Sequence, residues 1–283
     1  MADGIELDRT TWHWESFVAK PVFYIFRNYL RSGSDVSASQ AAQAIADMKP
    51  WDADGYKTWG YFELTELWPA IFRIVEQIPY DHIAQDKLVK VFRELEQLPD
   101  TGLKRWSGGQ LWRELPVLGE TMRYEWERDR VGDDEEEQAK LDQAWIRYHA
   151  FCARLDAAGI ISSEREQIWS LRDALEEPNP PQSLELDTKL TLAALYMEYN
   201  GTSLFQELLA NPYPAITESV GRLHKPGSLF KGVPGLSPER WEFWTDRFRL
   251  EAENAKTEHA KNLALRAARR METWNRRKLR LGQ

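Results

Sequence analysis

The sequence predicts an all-α fold: an irregular bundle of about ten helices with a Trp-rich core and a long C-terminal helix. Three observations predict it. Apolar residues recur at three- and four-residue spacing along nearly the whole chain, and no run alternates apolar and polar residues as a half-buried strand would. Ser, Asp, Pro and Gly stand where such helices would begin and end. Thirteen Trp in 283 residues supply large flat faces that fill the gaps between helices, each with one N–H to satisfy.

Taken in order, the first helix runs from about Ser16 to Leu30. Phe23, Phe26 and Leu30 share its inner face, and Pro21 opens or kinks its first turns. Ser37 or Ser39 caps a short helix from about Ala38 to Met48. Pro50 and Gly55 mark residues 49–60 as a loop. A helix over Tyr61–Gln77 follows, with Pro69 in its middle. The next covers His82–Leu98, is bracketed by Pro79 and Pro99, and has Asp81 as its expected N-cap. After a Gly-rich turn at 106–110, a helix from Leu111 to Arg130 is expected to bend at Pro116. Asp133–Glu137, a run of five acids, opens a helix reaching Gly159, because carboxylates favour the positive helix end. Ser163 caps the next, to about Glu177. Pro178-Asn179-Pro180-Pro181 is the clearest break, either a lobe boundary or a rigid turn. Helices over Asp187–Tyr199 and Ser203–Ala210 lead to a loop rich in Gly and Pro, Asn211–Gly235, of a length often tied to function or mobility. Ser237-Pro238 starts a last helix expected to run unbroken to about Arg277.

The chain is long enough to bury a core as a single domain, 1–283, or as two packed lobes, 1–177 and 182–283. Its net charge is −8, yet after Leu265 seven of the charged residues are basic against Glu272 alone. That overall balance, with no recognisable DNA-reading module, argues against nucleic acid as the partner. One cysteine, Cys152, rules out an intramolecular disulfide and a Cys-rich zinc site. The opening residues lack a basic segment followed by an apolar run. The most apolar stretch, Phe17–Leu30, is broken by Lys20, Pro21, Arg27 and Asn28. A cytoplasmic location without a membrane span is the expectation.

No Gly-x-Gly-x-x-Gly after a strand, Walker loop, nucleophile elbow or His-Glu-x-x-His occurs, so no cofactor or metal is expected. Asp133-Asp134 followed by Glu137 resembles a magnesium–diphosphate motif, but its companion motif is absent and a helix cap explains it better. His149 and Cys152 lie one turn apart on one helix, a poor geometry for a nucleophile and its base, so core packing is the simpler reading. Polar groups gather instead around two Trp-rich segments. Glu63 and Glu66 flank Trp59 and Trp68. Spacings of three, four and seven place Arg113, Glu120, Arg123 (or Tyr124) and Glu127 on one broad stripe beside Trp112 and Trp126. Facing inward, that stripe makes an aromatic cavity with convergent charges; facing outward, it makes surface ion pairs of little energetic value. The candidate catalytic residues are Arg123, Tyr124, Glu120 and His82, the last because its side chain titrates near neutrality. The candidate substrate-binding residues are Trp112, Arg113, Trp126, Glu66 and Trp68.

The blocks Ile78–Val89, Leu111–Glu125, Trp169–Glu176, Gly227–Gly232 and Arg240–Trp244, within a likeness covering roughly Tyr61–Phe248, resemble one family, the fungal domain of unknown function 3632. The chain departs from the family pattern at His149, where relatives tend to carry Asn, which argues against a general family role for that residue. The resemblance implies a filamentous-fungal source and brings no catalytic residues with it. Two functions are therefore expected as alternatives. One is a cofactor-independent pocket protein that binds or transforms an apolar secondary metabolite. The other is a non-catalytic interaction scaffold whose partner uses the C-terminal helix or the Asn211–Gly235 loop.

Overall fold

A computed structural model describes residues 4–9, 16–48, 61–99, 110–128, 130–213 and 215–280. Among these the chain is all-helical, and it divides into two compact units, Met1–Phe151 and Cys152–Gln283.

Unit 1 contains α1 (Ala19–Leu30), α2 (Ala38–Asp47), α3 (Tyr61–Val75), α4 (Ile83–Glu96), α5 (Leu118–Glu127) and the first part of α6 (Glu135–Ala157). Ser16 Oγ accepts the amides of Val18 and Ala19, which leaves Pro21 in the first turn of α1, where no amide is missed. Ser37 and Gln40 form a reciprocal capping box on α2. At α4 the expected cap is corrected by one residue. His82, not Asp81, is the N-cap, and its Nδ1 accepts the Ala84 amide at 3.1 Å. Asp134 Oδ1 accepts from Glu137 N and Glu137 Oε2 accepts from Asp133 N, so the acidic run is a cap of α6. Ring contacts join α3, α4 and α6, in a series Trp68–Phe92–Phe151 and a pair Phe72–Tyr148, with centroids 5.1–5.6 Å apart.

Unit 2 is built on α8 (Leu184–Tyr199), which is buried almost all round and packs against α7 (Glu164–Leu175), α9 (Gly201–Ala210) and α12 (Glu258–Arg280). α11 (Pro238–Asn254) packs against α12 and α7, and the short α10 (Glu218–Leu223) lies within the loop between α9 and α11. The expected single helix from Pro238 to Arg277 is thus two. Asp187 of α8 accepts the amides of Lys256 and Thr257 at 2.8 Å each, while Gln182 engages the carbonyls of Asn254 and Ala255. A partner from a distant element breaks the helix where no Gly or Pro does. Among the described residues no helix is long and apolar enough to cross a membrane.

Candidate functional site

The Trp-rich segment of unit 1 does not form one helix. Leu115 (φ 42°) and Val117 (φ 67°) both occupy the left-handed region on either side of Pro116, so helical geometry begins only at Leu118. Arg113 therefore stands before α5 and off its stripe. Arg113, Glu120, Arg123, Tyr124 and Glu127 are all exposed. Tyr124 is 71% exposed, and the Arg123–Glu127 pair is open to solvent on both side chains, at 64% and 54%. The outward alternative for the stripe is the one the helix adopts, with its charged side chains facing solvent.

The apolar members of the expected site are in or beside the core. Trp68 is fully buried and donates to Pro116 O at 2.8 Å; Trp112 is 3% exposed. Glu66 is half-buried on α3, and His82 is occupied as a helix cap. Trp59 lies outside the described residues. Trp126 packs on His149 (4.6 Å) and Trp145 (5.5 Å), and Arg130 sits 3.1 Å over the Trp145 ring. Burial first, then Arg130, holds the His149 imidazolium well below its ordinary range, so this ring is a neutral member of an aromatic cluster. Cys152 is buried. Among the described residues no group of three or more His, Cys, Asp and Glu is arranged to hold a metal ion.

The most elaborate polar arrangement lies in unit 2, around Glu176 and Arg240, both fully buried. Glu176 ends α7 and Arg240 sits in the first turn of α11, on the same face as Trp244 and Phe248. Glu176 Oε1 accepts from Arg240 Nε and Trp244 Nε1, each at 2.6 Å. Its Oε2 accepts from Gly227 N at 2.7 Å and Arg240 Nη2 at 3.1 Å. Arg240 Nη1 donates to the carbonyls of His224 (2.8 Å) and Gly235 (2.9 Å), and Nη2 reaches Lys225 O at 3.5 Å. All five donors of the guanidinium are thereby engaged, as a buried cation requires.

What the pair organises is the loop. Leu229 N donates to Glu176 O; Ser228 donates through N and Oγ to Glu177; Trp169 Nε1 donates to Leu223 O at 2.5 Å. Gly227 is required by space: a Cβ there would fall 2.6 Å from Glu176 Cβ and 2.7 Å from its carbonyl oxygen. On its outer side the same segment presents Tyr213 (66% exposed), Ile216 (55%), Leu229 (37%) and Val233 (51%), and α10 buries no residue.

Beside the loop, His224 Nδ1 stands 3.8 Å from Glu164 Oε1. The distance is that of an ion pair, but both groups are pushed toward their neutral forms. Burial, then the hydrogen-bonded carboxyl of Glu207, then Asp156, raises Glu164 to about 7. Burial, then Arg240 and Arg165, lowers His224. Near neutrality this is a partly protonated carboxyl meeting a neutral ring.

A family model, described as "Protein of unknown function (DUF3632)", matches residues 68–248, well over half of the chain. The chain belongs to this family. No curated protein and no solved structure matches it. Three of the blocks that carry the resemblance, Trp169–Glu176, Gly227–Gly232 and Arg240–Trp244, meet at the buried pair and the loop it holds.

Sequence reasoning did not single out Glu176 or Arg240. The available signal was a charge on an apolar stripe: Arg240, Trp244 and Phe248 recur at four-residue steps, and Glu176 follows directly on Ala174-Leu175.

Proposed function

We propose that this protein is a non-catalytic interaction protein that docks a protein partner on the loop between α9 and α11. One observation carries the reading. A segment rich in Gly and Pro is fixed by a fully buried, fully hydrogen-bonded ion pair, yet turns Tyr213, Ile216, Leu229 and Val233 to solvent. Holding a loop in one conformation removes the ordering cost that a mobile loop would meet on binding. Apolar side chains gathered on such a segment favour a contact surface. Residues 211–236 carry Arg222, Lys225 and Lys231 against Glu218, a basic segment in an acidic chain. The partner surface this suits is apolar with an acidic rim.

The test is quantitative affinity capture with the wild-type chain and with Ile216→Asp/Val233→Asp, both positions exposed enough to leave the fold intact. Partners held by the wild type and lost by the variant, at equal melting temperature, are the expected outcome. Identical partner sets would sink the reading. The alternative of a small-molecule binding protein has its own observation in favour, a cleft on α12.

A further inference from the structure

Unit 2 carries a second feature, independent of the loop. A cleft of about 270 Å³ opens between the start of α9 and the outer face of α12, lined by Thr202, Arg266, Arg269, Arg270, Thr273 and Trp274. The three guanidiniums lie within five residues of one helix, and among the described residues one carboxylate pairs with them. Glu198, near the end of α8, accepts from Arg266 Nε at 3.0 Å and from Arg270 Nη2. Arg269 is exposed and makes no ion pair among the described residues. Three positive charges and one negative leave about two positive charges at the mouth of the cleft, in a chain whose total is −8.

The remaining wall fits a ligand with a flat apolar part. Trp274 stacks on Phe205 (6.0 Å, 20°) and touches Trp241 (5.9 Å). It also closes over Gly201, where a Cβ would meet Trp274 Cη2 at 2.6 Å. The indole is therefore held in place from behind before anything binds. Thr273 Oγ1 donates to Arg269 O at 2.9 Å and keeps its lone pairs. Thr202 is the second residue of α9, and Asn200 gives that helix no side-chain cap, so the positive helix end adds to the same field.

We propose that this cleft binds a small organic phosphate. The dianionic phosphoryl group sits on Arg269 and the free face of Arg266, and an aromatic or other flat apolar group lies against Trp274. Charge selects the class: a phosphate monoester carries close to two negative charges near neutral pH and offers three acceptor oxygens, which guanidinium groups engage in pairs. Size limits it, since about 270 Å³ lies at the small end of ligand pockets. Arg266–Trp274 fall beyond the matched residues 68–248, so the site is read from this chain alone.

Calorimetric titration of the full chain with phenyl phosphate, benzoate, phenol and inorganic phosphate tests the assignment, with the Trp274 indole N–H followed by NMR and assigned through Trp274→Phe. Saturable binding of phenyl phosphate is expected, with movement of the Trp274 signal. Benzoate, with one charge, and inorganic phosphate, with no ring, should each bind more weakly. Arg269→Gln, at an exposed position, should weaken phenyl phosphate about tenfold or more at an unchanged melting temperature. Arg269→Lys should fall between. Absence of saturable phenyl phosphate binding, or equal affinity in Arg269→Gln, overturns the proposal. Equal binding of benzoate overturns the choice of a dianion. Ile216→Asp/Val233→Asp should bind phenyl phosphate like the wild type, so failure here and failure of the loop reading remain distinct.

Discussion

Two Arg–Glu pairs in this molecule have the same chemistry and opposite surroundings. Arg123–Glu127 on α5 is open to water, and among the described residues each partner is held by the other alone. Arg240–Glu176 is sealed, and each partner is also held by backbone and indole groups. The first exchanges water for a neighbour at almost no gain. The second has lost water altogether and depends on every remaining bond. Residue type and helical spacing made the exposed pair look like a site; burial makes the other pair consequential.

The largest expected effect tests that difference directly. Arg240→Ala should cost about 3–5 kcal/mol in urea unfolding, because Glu176 is left charged and buried. The double variant Arg240→Met/Glu176→Leu sharpens the point. Buried pairs elsewhere are often replaced without loss, but here the carbonyls of His224 and Gly235 also lose their donor. Recovery should therefore be incomplete, and full recovery would show that the loop does not depend on Arg240. Gly227→Ala comes next, at about 1–3 kcal/mol, since its methyl meets Glu176 Cβ and backbone, which cannot yield as a flexible side-chain end would.

A pH series probes the carboxyl beside the loop. The fold prefers protonated Glu164, so its contribution is complete below the ordinary carboxyl value of 4.5 and is lost as pH rises through about 7. Between about pH 5 and about pH 8 the wild type should lose melting temperature relative to Glu164→Gln, a difference in which the opposing contributions of the depressed His149 and His224 cancel. An unchanged slope in the variant would assign the proton uptake to Glu207, which is raised by burial and Asp156. The smallest effect belongs to Arg123→Ala, which should leave the unfolding midpoint where it is. A measurable drop there would mean that α5 is held by its surface charges after all.

Local rules carried much of the fold. The Ser37 capping box, Pro21 in a first turn, the acidic start of α6 and Ser237-Pro238 at α11 are each decided within a few residues of sequence. What escaped was decided at a distance. Asp187 lies about seventy residues before the amides whose helix it interrupts, and Glu176 sixty-four before Arg240. The direction of the α5 stripe depended on two left-handed residues around Pro116, and neither Leu nor Val advertises that conformation. Periodicity showed that one face of α5 differed from the other without showing which face met the core.

The turn that Asp187 creates also changes what the basic segment after Leu265 is. A straight continuation of α11 would have projected a basic rod into solvent, free to be shortened. Folded back, α12 instead offers a seam of small residues, Ala260, Ala264, Ala267 and Ala268, with Leu263 and Met271, all buried. It packs there against α11 and α8. A chain clipped after Leu265 would lose half of that seam and expose the side of Trp241 that Trp274 covers, so removing the basic segment would undo tertiary structure.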